Sequence, residues 1–186
     1  YYPNAMALAN TGMDGDDDLD LMVTWPDEEK IRLFNGNGDG TFAAGGHYSV
    51  GREPGFIPFA DLTGDDRPDL AVPNYYDDTV TILQYVDGNY TQRADYSVGD
   101  RPQTTVFGDF DEDGDLDLAV ARYYNQLTTL ENLGDGIYGN VAYRTLSGRP
   151  NAMVTDDFDM DGHLDLALTY NYDGVLSVLL GRGDRT

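Results

Sequence analysis

The stretch Asp109-Phe110-Asp111-Glu112-Asp113-Gly114-Asp115-Leu116-Asp117-Leu118-Ala119-Val120 sets five aspartates and a glutamate directly before a short apolar run. Carboxylates at positions 1, 3, 5 and 9 of so tight a loop (Asp109, Asp111, Asp113 and Asp117) can converge on one cation. The backbone carbonyl of Asp115, at position 7, can add another oxygen. Gly114 at position 6 permits the turn that folds the loop round the ion. The Leu-Ala-Val run that follows reads as a buried β-strand. The stretch therefore predicts a cation-binding loop leading into a strand.

The same unit recurs along the chain. Asp20, Asp69, Asp117 and Asp165 align with spacings of 49, 48 and 48 residues, and a proline precedes each, at Pro3, Pro54, Pro102 and Pro150. The last three prolines stand 15 residues before their aspartate and Pro3 stands 17 before, so the first repeat holds a two-residue insertion. Matching Pro3-Asn4-Ala5-Met6 to Pro150-Asn151-Ala152-Met153 places Asn10 where Asp157 stands. The fourth loop reads Asp157, Asp159, Asp161, Gly162, His163, Asp165, with His163 at the carbonyl position and its imidazole expected to point outward. The second loop reads Asp61, Thr63, Asp65, Arg67, Asp69, where the neutral Thr63 hydroxyl predicts weaker binding. The first reads Asn10, Asp14, Asp16, Asp18, Asp20 across a bulge. Calcium is the expected ion, up to four in all, because it is hard, takes six to eight oxygens and tolerates irregular loops. An EF-hand is excluded: its position-12 glutamate is replaced here by Val72, Val120 or Leu168, inside a strand.

Each repeat reads as four short strands separated by Gly/Asn/Asp turns. The first includes Phe56 to Ala60 and Thr104 to Gly108, and the second begins at the repeat aspartate. The third includes Ile31 to Phe34, Val80 to Leu83, Leu127 to Leu130 and Val175 to Leu180. The fourth includes Tyr48-Ser-Val and Tyr96-Ser-Val. The fold class is all-β, a β-propeller of four-stranded antiparallel blades with four repeats. Residues 1–186 form a single propeller domain or a fragment of one, with repeats at approximately 1–50, 51–98, 99–146 and 147–186. The fourth repeat stops soon after its third strand, which leaves two readings: a closed four-bladed ring with a weak seam, or part of a larger ring.

The formal charge is −23, from 34 acidic against 11 basic residues. Nineteen of the acids fall in the four loops, leaving 15 elsewhere against 11 bases, so the excess is mostly local and favours cation sites. Nucleic acid is excluded as a partner for want of a basic footprint. No membrane span is legible in the sequence. The absence of cysteine excludes disulfides and thiolate metal sites.

Asp61-Leu-Thr-Gly-Asp65-Asp-Arg-Pro-Asp69 and Asp109 to Asp117 resemble the calcium loops of FG-GAP/VCBS repeats, the blades of the integrin α-subunit propeller and of many bacterial and archaeal surface proteins. The resemblance covers the whole chain. It implies loops between the first and second strands on one face of a propeller, with ligands engaging the opposite face. Rings in that family usually have seven blades, so four is a departure.

On that opposite face the sequence places Trp25, Tyr75-Tyr76, Tyr123-Tyr124, Tyr170 and Tyr172, with Arg52, Arg101 and Arg149 in the connections between blades. These are residue types of binding hot spots, and the alternative is packing between blades. The expected partners are a protein or a glycan on this face, with self-assembly through open blade edges. The function this predicts is a calcium-stabilised extracellular or cell-surface module for protein interaction, adhesion or structure. The alternative is a carbohydrate-binding propeller or a non-catalytic domain of a larger secreted enzyme. No catalytic constellation is legible, and His47 and His163 are the only histidines. Arg182-Gly183-Asp184 spells an integrin-recognition tripeptide, but it lies where other repeats have a Gly-Asp turn. Asn89-Tyr90-Thr91 is a glycosylation sequon in a turn.

Overall fold

Each repeat aspartate opens a strand, and that strand becomes the second member of an antiparallel meander. The computed structural model describes residues 3–11, 16–171 and 174–184. The first sheet holds β1 (Met6–Ala9), β2 (Asp20–Trp25), β3 (Lys30–Gly36) and β4 (Phe42–Ser49), in that spatial order. The second holds β5 (Phe59–Ala60), β6 (Asp69–Asn74), β7 (Thr79–Val86) and β8 (Asn89–Ser97). The third holds β9 (Pro102–Gly108), β10 (Asp117–Arg122), β11 (Gln126–Asn132) and β12 (Tyr138–Thr145). The fourth holds β13 (Pro150–Asp156), β14 (Asp165–Tyr170) and β15 (Leu176–Leu179). A 3₁₀ turn, Pro26–Glu28, joins β2 to β3. The architecture is a propeller of four blades, as the repeat spacing predicts.

Register repeats with the sequence. Leu70 pairs with Leu83, Leu118 with Leu130, and Leu166 with Leu179. Two expected strands differ in extent. Phe56–Ala60 shrinks to Phe59–Ala60, because Pro54 and Pro58 lack the N–H that a ladder needs; Pro54 makes only an isolated bridge to Asn74. The expected Val175 to Leu180 is Leu176–Leu179, half the length of β7, and among the described residues it pairs with β14.

The core lies between sheets. Met22, Ile31 and Tyr48 of the first sheet meet Ile57, Leu70 and Tyr90 of the second repeat. Val80, Ile82 and Val98 meet Leu118, Leu130 and Tyr138. Phe110, Ala119 and Leu127 meet Met153, Leu166 and Leu168. Strands β6 and β10 are buried at every residue because each has a sheet on both sides, so both pleat faces carry apolar side chains. Among the described residues, no buried cluster joins the fourth sheet to the first.

Candidate metal centre

The four repeat aspartates do one job in common. Asp20, Asp69, Asp117 and Asp165 are essentially inaccessible, and each spans its own blade with two carboxylate oxygens. Oδ1 accepts the N–H of Gly36, Tyr85, Asn132 or Gly181 at the end of the third strand, at 2.8–3.0 Å. Oδ2 accepts the N–H of Thr11, Leu62, Phe110 or Phe158 at the start of the acidic loop, at 2.9–3.3 Å. An aspartate is required because the reach is short and both backbone donors are buried in the first three blades and part-buried in the fourth. At Asp69, burial raises the carboxyl above its usual range despite the hydrogen bonds from Tyr85 and Leu62.

This clamp also fixes the alignment of the first loop. Thr11 donates where Leu62, Phe110 and Phe158 donate, so Asn10 occupies the position of Asp61, Asp109 and Asp157. The two-residue insertion is thereby confined to the bulge. Asp14 falls outside the described residues. Asp16 Oδ1 accepts the N–H of Asp18 at 3.0 Å, as Asp65 does from Arg67, Asp113 from Asp115 and Asp161 from His163.

The loops wind by placing positions 4 and 6 in the left-handed region. Glu112 and Met160 adopt φ of 62° and 63°, followed by Gly114 and Gly162 at 98° and 96°. The winding turns the side chains at position 3 inward. In the third loop Asp109, Asp111 and Asp113 offer carboxylate oxygens that all lie within 4.8 Å of one another. In the fourth loop Asp157, Asp159 and Asp165 do the same. The expected set of positions 1, 3, 5 and 9 thus resolves into 1, 3 and 5 in one loop, and 1, 3 and 9 in the other. Partial desolvation and the negative charge of Asp161, Asp165 and Asp157 hold the Asp159 carboxyl above its usual range. A bound cation would relieve that repulsion.

The second loop is built differently. Asp61 accepts four backbone N–H groups, from Thr63, Gly64, Asp65 and Asp66, at 2.7–3.3 Å. The Thr63 hydroxyl donates to Asp69 at 3.2 Å. Asp109 and Asp157 also accept the N–H groups of positions 5 and 6, but the described residues of the second loop form no convergent trio.

The position-7 side chains of the second and fourth loops find partners outside their own loops. The Arg67 guanidinium lies 5.3 Å over the ring of Tyr85. His163 Nδ1 meets the carboxylate of Glu112, joining the third and fourth loops, and that contact raises the histidine above its ordinary pKa. Sequence reading missed this bridge, since Glu112 and His163 lie 51 residues apart and carry no shared motif.

On the opposite face the tyrosines and arginines interleave. Arg101 sits over Tyr75, Tyr123 and Tyr124 at 5.4–5.5 Å, and Arg149 lies 3.5 Å from the centroid of Tyr123. Arg52 pairs with Asp77 at 2.6 Å, and Trp25 is covered by Arg32. Tyr76 and Tyr124 remain more than half exposed. Tyr170 is buried between blades, and Tyr172 lies outside the described residues. Gly183 of the Arg182-Gly183-Asp184 tripeptide has φ of 67° and forms a bend after β15. Asn89 of the sequon opens β8, with Tyr90 buried beside it. Among the described residues no helix is long and apolar enough to cross a membrane.

The FG-GAP-like repeat model matches residues 13–72, 61–120 and 109–168, in steps equal to the repeat. No curated protein matches the chain. Among solved structures, BBS1N, crystallised in complex with ARL6DN and soaked with mercury, superposes with a TM-score of 0.61 at 12% identity, covering 98% of this chain and 55% of that one. A protein from Lactobacillus plantarum superposes with a TM-score of 0.59 at 16% identity, covering 96% and 57%. The chain therefore spans a little over half the length of these two structures, and the likeness is one of fold.

Proposed function

Because this chain belongs to the FG-GAP-like repeat family, we propose that it is a calcium-stabilised, non-catalytic interaction or structural module of an extracellular or cell-surface protein. One observation carries the calcium reading: in two successive loops three carboxylates offer oxygens that all lie within 4.8 Å of one another. Carboxylate oxygens so close repel one another unless a cation lies between them. Asp109, Asp111 and Asp113 would hold one ion, and Asp157, Asp159 and Asp165 another. All-oxygen donors on a wound loop suit calcium better than magnesium, which demands a regular octahedron.

Calcium here supplies cross-linking in a chain without cysteine. Its charge offsets the acidic loops, and its bonds brace them against the strands they join. The second loop, whose residues form no convergent carboxylate trio, contributes least. The extracellular reading rests on this chemistry, since protein modules that bind calcium at about 10⁻⁴–10⁻³ M operate where calcium is abundant. For the glycan reading, the interleaved arginines already cover several of the ring faces on which a sugar would stack.

Calorimetric titration with calcium tests the proposal. Two ions should bind with measurable heat, with one lost in Asp111→Asn and one in Asp159→Asn. Titrations that show no calcium heat at millimolar concentration would refute it.

A further inference from the structure

The outer strand of the second blade carries an arginine that braces it to the third. Arg93 is the bulged residue of β8, between the pairs Ile82–Ala94 and Leu83–Gln92. Its guanidinium donates to Gln84 Oε1 of β7 at 2.7 Å and pairs at 3.1 Å with Asp135, in the β11–β12 turn of the next blade. The third blade satisfies the same acceptor from its own outer strand. There Glu131 stands where Gln84 stands, and it accepts the side-chain amide of Asn140 at 2.6 Å.

The first blade has the acceptors of this brace and no donor. Counted from Gly36, Tyr85 and Asn132, whose N–H groups reach the repeat aspartates, Asn35 stands where Gln84 and Glu131 stand. Counted from the pairs Ile31–Tyr48 and Val80–Tyr96, Gly45 stands where Arg93 stands. Gly45 and Gly46 have no side chain to send across, and Asn35 Oδ1 is buried without a hydrogen-bond partner. Asp87 precedes Tyr90 by the same interval as Asp135 precedes Tyr138; it is exposed, and among the described residues it pairs with no cation. Between the outer strands of the two blades lies an open groove of about 500 Å³. Gly46 and Tyr48 wall it on one side, Leu83, Asn89 and Gln92 on the other. The first and second sheets each hold all four strands, so the groove depends on neither end of the chain.

We propose that this groove accepts the guanidinium of one arginine presented by an interacting protein, in the place that Arg93 fills one blade further on. The guanidinium pairs with Asp87 as Arg93 pairs with Asp135, and a turn of the Asn35 amide toward it supplies the second acceptor. The stem of the arginine lies along Gly46 and Leu83, where its methylene groups cover apolar surface. Arginine suits the site better than lysine, because a planar fork serves two acceptors at once. A chain with a net charge of −23 also draws a cationic group in preference to an anionic one. This assignment deepens the reading of the chain as an interaction module and does not require calcium in the loops.

The test titrates the 186-residue chain with N-acetyl-arginine amide and follows the backbone amide signals of Gly46, Asn89 and Gln92 by NMR. Physiological ionic strength screens the exposed acidic loops from the probe. Saturable shifts should centre on those three residues, and N-acetyl-lysine amide should bind more weakly. Asp87→Asn should weaken arginine binding by about tenfold or more while keeping the melting temperature. Arg93→Ala, which empties the equivalent place beside Asp135, should create a second site. Four results would overturn the proposal: no saturable shift at millimolar probe, shifts confined to the acidic loops, undiminished binding to Asp87→Asn, or a single site in Arg93→Ala. A dimer in light scattering that Asp87→Asn abolishes would assign the arginine to a second copy of this chain, and would also overturn it. Calcium heats that persist where these shifts are absent would sink this site and leave the calcium reading standing.

Discussion

Leu127 and Leu176 stand at the same place in successive repeats, yet the first is 3% exposed and the second 62%. Phe110 and Phe158 repeat the contrast at 8% and 44%. The third and fourth blades are written in nearly the same residues, and each prepares two apolar faces. What differs is the neighbour: among the described residues the third blade is packed on both sides and the fourth on one. Apolar patterning therefore records which face a blade intends to bury, and burial itself depends on a second sheet.

The comparison can be broken most severely by truncating the equivalent leucines. Leu127→Ala should cost about 2–5 kcal/mol, because it opens a cavity in a packed interface. Leu176→Ala should change stability by no more than about 0.5 kcal/mol. Denaturant titration measures both, and equal losses would show that the outer face of the fourth blade is buried in solution.

The aspartate clamp should erase the difference between the blades. Asp117→Ala and Asp165→Ala each orphan two backbone N–H groups, so each should cost about 2–4 kcal/mol. A cost confined to Asp117 would mean that the clamp matters only where a blade is packed on both sides.

The smallest effect belongs to the loop backbone. Met160 is almost fully exposed and holds φ of 63°, a region that favours glycine. Met160→Gly should stabilise the chain by up to about 1 kcal/mol, read as a small rise in melting temperature. The same change at Glu112 should gain less, because it also removes the contact with His163.

Most of the architecture was legible because the repeat aspartate performs one task four times, and a residue that cannot be replaced keeps its spacing. Its clamp explains why Asn10 could be placed across the insertion before any coordinates were known. The strand limits were less legible where prolines interrupt the ladder, as at Phe59–Ala60, and at β15, which among the described residues pairs with β14. In the loops, sequence placed the acidic residues but could not rank their partners. Asp61 and Asp109 occupy the same position and both accept the N–H groups of positions 5 and 6, yet Asp61 takes two further backbone donors while Asp109 faces two more carboxylates. The Glu112–His163 bridge arises from how blades meet, which no single repeat encodes.

Thermal unfolding of the chain in calcium and in EDTA tests most directly the claim that these loops are a cation-braced scaffold. At a free calcium concentration about a hundredfold above the dissociation constant, binding to the native state adds about 2.7 kcal/mol per site. For a domain of this size that raises the melting temperature by roughly 5–10 °C per occupied loop. The account predicts such a rise, reversed by EDTA and reduced in Asp111→Asn and Asp159→Asn. Coincident melting curves with and without calcium would contradict it.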